Sequence, residues 1–358
     1  MTNKIPIIKV KQEIKKIGNT NPLIKDTVCI IGGFETATNN LTPTNVTTIE
    51  EARETYGTDT TVDANACLER ILGDNTVNNV LIVNITTTSG SGGDVSYSRT
   101  VTKAKLESAV AALDLINFDI MYVVVEETDE LLKVITDFAD DRFENKMPFG
   151  YVAAFTRANN SAYTTTAGKL GEFCYGAVIQ RLEVDETELS LLETGAFITK
   201  QIATMNVGES LTAKVIPEVS GIKAADVLTF GTGSDGAILT GLGYLLFRLI
   251  NATTNTYEAV NSSNPNGLDV YMSRVRDYIV NEFALRDFLG EHNNTKTLEL
   301  IKSECNRIYT KFKDLDLIEG MNFAVEKEDA DTVNVIINSI QFAGVITEID
   351  VFITIEVI

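Results

Sequence analysis

Ile120-Met121-Tyr122-Val123-Val124-Val125 is followed by a helix-length segment from Asp129 to Asn145, and then by Phe149-Gly150-Tyr151-Val152-Ala153-Ala154-Phe155. The two flanking runs are apolar almost without interruption, as expected of strands covered on both faces rather than half-exposed to water. Working outward, the same alternation recurs. Thr27-Val28-Cys29-Ile30-Ile31-Gly32-Gly33-Phe34 is a buried-strand run ended by glycines, and Asn79-Val80-Leu81-Ile82-Val83-Asn84-Ile85 is another. Between them, after a loop through Pro43, Val46-Thr47-Thr48-Ile49-Glu50-Glu51-Ala52 predicts a helix start with a Thr cap and acidic first turn, closing near Tyr56-Gly57. A second helix is predicted from Ala64 to Leu72, ended by Gly73, and a third from Lys103 to Leu115. Ser89-Gly90-Ser91-Gly92-Gly93 reads as a surface loop. Downstream, a short strand around Ala177-Val178 and a helix near Leu189–Met205 continue the pattern. The fold class is α/β (α+β), with mixed sheets and flanking helices.

From Asn206 the texture changes. Gly208, Pro217, Gly221, Gly231, Gly233, Gly236 and Gly241 separate short apolar pieces, which predicts β-hairpins, with a strand at Asn255–Val260. Two helices follow, Val270–Leu289 and Thr297–Lys313. In the second, Leu298, Ile301, Cys305, Ile308 and Phe312 form one apolar stripe, while Lys296, Arg307 and Lys311 gather on the opposite side. Strands are predicted at Thr332–Ile340 and Gly344–Ile358. In the last of these, Ile349, Val351, Ile353, Ile355 and Val357 alternate with Asp350, Thr354 and Glu356, with Phe352 breaking the pattern. Such a strand must pair with a sheet, its own or a neighbour's. Residues 1–25 read as a second arm, with Ile5, Ile7, Ile8, Val10, Ile14 and Ile17 among Lys4, Lys9, Lys11, Lys15 and Lys16. The resulting organisation is an N-terminal arm at 1–25, an α/β domain at 26–205, a β-rich segment at 206–268, a C-terminal domain at 269–345 and a strand arm at 346–358.

The 358 residues carry 30 basic and 50 acidic side chains, a formal net charge of −20. That balance repels phosphate and argues against nucleic acid or an anionic membrane as a direct partner. No stretch of about 18 uncharged apolar residues occurs, and the N-terminus has no apolar signal core, so synthesis and assembly in the cytoplasm are expected. Cys29, Cys67, Cys174 and Cys305 are far apart, with no Cys-x-x-Cys pair, and read as small buried side chains kept reduced.

Catalytic chemistry is hard to assemble from these residues, and no catalytic residue, metal or cofactor is assigned. The one histidine, His292, has neither a nearby Cys nor a helical His-Glu-x-x-His context. Gly231-Thr232-Gly233-Ser234-Asp235-Gly236 is the best phosphate-loop lookalike, but it lacks the Lys-Ser/Thr ending and reads as a turn whose glycines take positive φ. Acidic pairs such as Glu126-Glu127, Asp140-Asp141 and Asp329/Asp331 show no calcium-loop spacing.

Ser273-Arg274-Val275-Arg276-Asp277-Tyr278-Ile279-Val280, then Gly290-Glu291-His292-Asn293-Asn294, the helix to Lys313, and Leu317-Ile318-Glu319-Gly320 resemble contractile tail sheath proteins. In that family an Arg-x-x-Asp-Tyr/Trp-Ile helix precedes a Gly-x-x-Asn turn, a second helix, a Gly-containing turn and paired C-terminal strands. Val28–Gly32, Pro43, Ile49-Glu50-Glu51-Ala52 and Tyr56-Gly57 are similar to its N-terminal pattern, and Asn206-Val207-Gly208-Glu209-Ser210 to its middle. The resemblance implies a C-terminal domain of sheath type, and subunits stacked as hexameric rings around a tail tube, in a phage tail or an R-type bacteriocin (tailocin) released from the producing bacterium. It implies as partners other copies of the chain, the tube protein, and baseplate and terminator or collar proteins. It also implies strand exchange through the two arms by β-augmentation, with Ile5, Ile7, Ile8, Val10, Ile349, Val351, Phe352, Ile353, Ile355 and Val357 at the subunit interface. Lys296, Arg307 and Lys311 become candidates for contact with the tube. With that resemblance, the terminal strand is expected to pair outward. Two other readings are an α/β enzyme taking a nucleotide or sugar at 231–236, and another self-assembling shell protein.

Overall fold

The structure is a computed structural model and describes residues 26–74, 76–77, 79–89, 95–145, 147–261, 267–283, 294–327 and 333–343. Ile5, Ile7, Ile8, Val10, Ile349, Val351, Phe352, Ile353, Ile355 and Val357, expected at a subunit interface, lie outside the described residues, as does His292.

The chain begins with β1 (Val28–Gly32), β2 (Thr44–Val46), α1 (Ile49–Tyr56), α2 (Asp63–Leu72) and β3 (Val80–Asn84). A hairpin of β4 (Thr87–Ser89) and β5 (Ser96–Ser98) follows, then α3 (Lys103–Ala112), β6 (Ile120–Val123), α4 (Asp129–Glu144), β7 (Gly150–Ala154), α5 (Asn160–Ala167) and β8 (Cys174–Val178). Strands β2-β3-β1-β6-β7-β8 form one sheet in that order. It is parallel except for β2, which lies antiparallel on β3 at the edge. Every residue of β1, β3, β6, β7 and β8 is buried. This is why those strands read as unbroken apolar runs: helices cover both faces, so neither set of alternating side chains meets water.

The two faces build two cores. Val28, Ile30, Ile82, Tyr122 and Val152 point toward α2 and α6 (Leu191–Thr204), meeting Leu68, Ile71, Ile198 and Ile202. Cys29, Ile31, Leu81, Met121 and Tyr151 point toward α3 and α4, meeting Leu106, Leu132 and Ile135. The helix starts follow the expected chemistry: Thr48, Thr102, Thr128 and Asn159 each accept a backbone N–H of the first turn, and Ser190 with Glu193 makes a full capping box on α6. All four cysteines are buried and unbonded, and burial pushes the Cys174 thiol up to about 12 and Cys305 up to about 11.

The region after Asn206 is not a run of simple hairpins. Between β8 and α6 lie β9 (Leu182–Val184) and β10 (Thr187–Glu188), and after α6 come β11 (Lys214–Val215), β12 (Val219–Ile222), α7 (Asp235–Gly241), β13 (Phe247–Asn251) and β14 (Thr256–Ala259). β12 joins β9 and β10 in one small sheet, while β11, β14 and β13 make another. Leu211, Ile216, Val219, Leu245, Phe247 and Ala259 enter the same core as β1 and α6. A bridge between Val178 and Leu245 continues the main sheet past β8.

The C-terminal part is α8 (Val270–Glu282), α9 (Thr295–Asp314), β15 (Ile318–Lys327) and β16 (Val333–Phe342). It has its own core: Tyr271, Val275 and Ile279 of α8 against Ile301, Cys305, Ile308 and Phe312 of α9. The apolar stripe of α9 is thus confirmed, with Leu298 half-buried at its start. One expectation needs correcting. Leu317-Ile318-Glu319-Gly320 reads as a turn, yet Ile318 and Gly320 belong to β15, which supplies the partner of β16. Pairing along ten residues overrides the weak strand propensity of Gly320 and Asn322, and the ladder shifts register beside both.

Candidate assembly interface

β15 and β16 form a two-stranded antiparallel ribbon. Met321 faces Ile340, Phe323 faces Ile337, and Val325 faces Val335. These pairs lay a partly buried apolar surface on the α8–α9 core. Phe323 meets Phe283 edge-on at 5.8 Å, and Phe342 meets Tyr271 at 6.4 Å. Among the described residues each strand has one partner, so each presents an outer edge ten residues long. Open edges of this length are templates for another strand, and a ribbon of two strands gains stability by acquiring one.

The helix carrying the Arg-x-x-Asp-Tyr-Ile sequence is the joint between this unit and the parallel sheet. Arg274 is 2% exposed and ion-pairs with Asp26 at 2.5 Å, while its other guanidinium nitrogen donates to the carbonyls of Met205 (3.2 Å) and Asn206 (3.3 Å). The Tyr278 hydroxyl also donates to Asp26. Asp277 accepts from Tyr175 on β8 (2.7 Å) and Arg276 (2.8 Å). Arg276 reaches Glu172 at 3.0 Å and stacks on Phe173, 4.6 Å from the ring centre. Asp119, just before β6, accepts the Thr27 N–H at 2.7 Å. Burial pushes the Asp119 carboxyl up to about 6, and the adjacent Asp26 charge adds to the rise. Burial likewise lifts Asp26 above its ordinary value, against the pull of Arg274 and Tyr278. A cavity of about 10 Å³ remains between Asp26, Asp119, Tyr175 and Arg274, room for no more than one water. The joint is packed, and it offers no ligand site.

The proposed tube-facing cations are only partly free to reach outward. Lys296 is exposed in the first turn of α9. Arg307 is paired with Glu304 at 2.6 Å, and Lys311 with Glu282 at 2.9 Å. The face is a row of mixed sign rather than a basic stripe.

Two places associated with ligands in α/β proteins are built differently here. The strand order reverses between β1 and β6, and the crevice beyond their carboxyl ends is where doubly wound sheets take ligands. Here the chain leaving β1 is held by Arg99, which donates to the carbonyls of Phe34 and Glu35 at 2.9 Å each. A Cβ on Gly33 would stand 2.1 Å from the Arg99 carbonyl oxygen. The Gly231–Gly236 segment is a turn ending in a helix cap: Ser234 N–H donates to Gly231, and its hydroxyl caps α7 and donates to Thr229 at 2.6 Å. Only Gly233 of its three glycines has positive φ, +76°. Gly236 is needed for space instead, since its Cβ would lie 2.5 Å from the Thr229 carbonyl oxygen.

The sequence showed the α8 motif but not its partners, because Asp26 is 248 positions away from Arg274. No signal local to either residue announces that pairing.

No family model and no curated protein matches this sequence. Solved structures do. The sheath tail protein of Desulfitobacterium hafniense matches with a TM-score of 0.63 at 15% identity, over 94% of each chain. That of Listeria innocua matches with a TM-score of 0.66 at 12% identity, over 89% of this chain and 92% of its own. The helical sheath of the anti-feeding prophage in its contracted state matches with a TM-score of 0.61 at 12% identity, over 93% and 92%. The chain therefore has the fold of contractile tail sheath proteins, along nearly its whole length.

Proposed function

We propose that this chain is a structural subunit of a contractile tail sheath, polymerising as stacked hexameric rings around a tail tube. Its contraction would drive the tube through a cell envelope. The observation that carries the reading is the β15–β16 ribbon: two long strands that, among the described residues, pair only with each other, resting on a small separate core within a sheath-type fold. In this reading a neighbour's arms, 1–25 and 346–358, add strands to the ribbon's edges, with backbone hydrogen bonds giving affinity and the alternating apolar residues fixing register. The arms keep rings connected while the bodies slide and rotate, and a metastable extended state supplies the energy without a nucleotide. Other copies of the chain, the tube protein, and baseplate and terminator proteins are the partners, and Lys296 is the cation best placed for the tube.

Negative-stain microscopy of the concentrated protein tests this. Hollow helical cylinders are expected, and uniform small particles would overturn the reading. Deleting Val351–Ile358 should leave the circular dichroism spectrum unchanged while abolishing the cylinders. Tubes formed by the truncated chain would rule out strand exchange through that end.

A further inference from the structure

Helix α8 touches both points at which the described chain leaves for its two terminal arms. At one, Asp26, the first described residue after the N-terminal arm, is held by the guanidinium of Arg274 and the hydroxyl of Tyr278. Thr27 is pinned beside it: its N–H donates to Asp119 (2.7 Å), its carbonyl accepts the Asp119 N–H (2.9 Å), and its hydroxyl accepts from Asn79 (2.9 Å). At the other, Ala343, the last described residue before the C-terminal strand, has its carbonyl held by the Tyr271 hydroxyl and its N–H donated to Leu317 at 3.3 Å. Tyr271, Arg274 and Tyr278 are spaced by three and four residues, so they share one face of α8 within about 60°. From Tyr271 to Tyr278 is about 10 Å along the axis.

The surroundings of α8 make it fit to hold both. It is buried or half-buried along nearly all of its length. Val275 and Ile279 sit in the α9 core, while Arg274, Arg276 and Asp277 tie it to the end of α6, to Phe173 and to β8. A helix wedged between two cores moves as one piece with both, unlike a loop.

We propose that α8 is the common mount of the two terminal arms, with Arg274 and Tyr278 fixing the N-terminal exit and Tyr271 fixing the C-terminal exit in one rigid frame. The proposal rests on the reading of the arms as intersubunit connectors. Under it, a displacement of one arm is passed to the other through a single helix rather than through the deformable ribbon. Tyr271, Arg274 and Tyr278 are positioning residues in this scheme.

The test uses the full chain and substitutions that remove one oxygen each. Tyr271→Phe and Tyr278→Phe are compared with Tyr244→Phe, which deletes a hydroxyl donating to Tyr163 on the far side of the sheet. Hydrogen exchange followed by mass spectrometry is expected to show about five- to tenfold faster exchange around Ala343 in the first variant and around Thr27 in the second. The β1 and β6 amides should keep their protection, and the Tyr244→Phe variant should change neither exit. Wild-type chain that forms cylinders, with exchange at the exits unchanged in both variants, would overturn the mount. Raised exchange at the exits in variants whose parent forms no cylinder would instead overturn the sheath reading and leave the mount standing. Where cylinders form, the Tyr271→Phe/Tyr278→Phe double variant should give shorter or irregular ones, and cylinders of normal length and order would also count against it.

Discussion

At Asp119 a single carboxyl reports on the joint between the parallel sheet and α8. Its folded-state value of about 6 stands above the ordinary 3.8. The folded chain therefore holds a proton that the unfolded chain has lost between those two pH values. The stability tied to this group is fully present below about pH 4 and declines as pH rises through about 6. Asparagine keeps an acceptor for the Thr27 N–H and does not titrate. Relative to Asp119→Asn, the wild-type chain should therefore lose on the order of 2–3 kcal/mol between pH 4 and pH 7, measured by urea unfolding at fixed temperature. An equal difference at both pH values would show that this carboxyl is not buried as described. The sequence marked Arg274, Asp277 and Tyr278 through a family resemblance. It was silent on Asp26 and Asp119, whose role depends on a meeting of distant segments.

Among the elements, α6 shows how packing reverses a local preference. Gly195 lies mid-helix, where alanine is better by about 1 kcal/mol. A Cβ there would sit 2.5 Å from the Tyr122 hydroxyl oxygen, which donates to the Leu192 carbonyl at 2.6 Å. The clash wins, because Tyr122 is fully buried and cannot step aside. Gly195→Ala should destabilise the chain by about 1–3 kcal/mol in denaturant unfolding, and a stabilised variant would refute the close packing of α6 on β6. The elements most legible in the sequence were the five parallel strands, because burial on both faces leaves an unbroken apolar run. β15 was missed because Glu319, Gly320 and Asn322 look like a turn until β16 lies beside them. α5 was missed as well: Thr164, Thr165 and Thr166 are poor helix formers, held by the Asn159 cap and by Arg157 bonding Thr166.

For the whole molecule, the net charge of −20 sets a condition on assembly. Copies brought together in a sheath repel one another across distances that shrink from about 30 Å at 0.01 M salt to about 10 Å at 0.1 M. Cylinder yield, followed by sedimentation, should therefore rise as salt is raised across that range. A yield that falls would mean that ion pairs between subunits outweigh the repulsion. The core is organised less by sequence segment than the composition suggests. Leu211, Ile216, Val219, Leu245, Phe247 and Ala259 share the core of β1 and α6, and Leu239, Tyr244 and Leu246 share that of α3 and α4, whereas most of the buried apolar residues of α8 and α9 build a third.

By itself, the sequence determined the layered α/β class and the apolar stripe of α9. Each follows from local periodicity or composition, which need no knowledge of where the chain returns. Only the tertiary structure decided that β16 pairs with β15, that Arg99 binds the carbonyls of Phe34 and Glu35, that Arg307 and Lys311 are matched by carboxylates, and that Arg274 of α8 pairs with Asp26. Those outcomes depend on contacts between residues far apart in sequence. Burial and charge pairing are properties of the folded neighbourhood and leave no periodic trace in the chain.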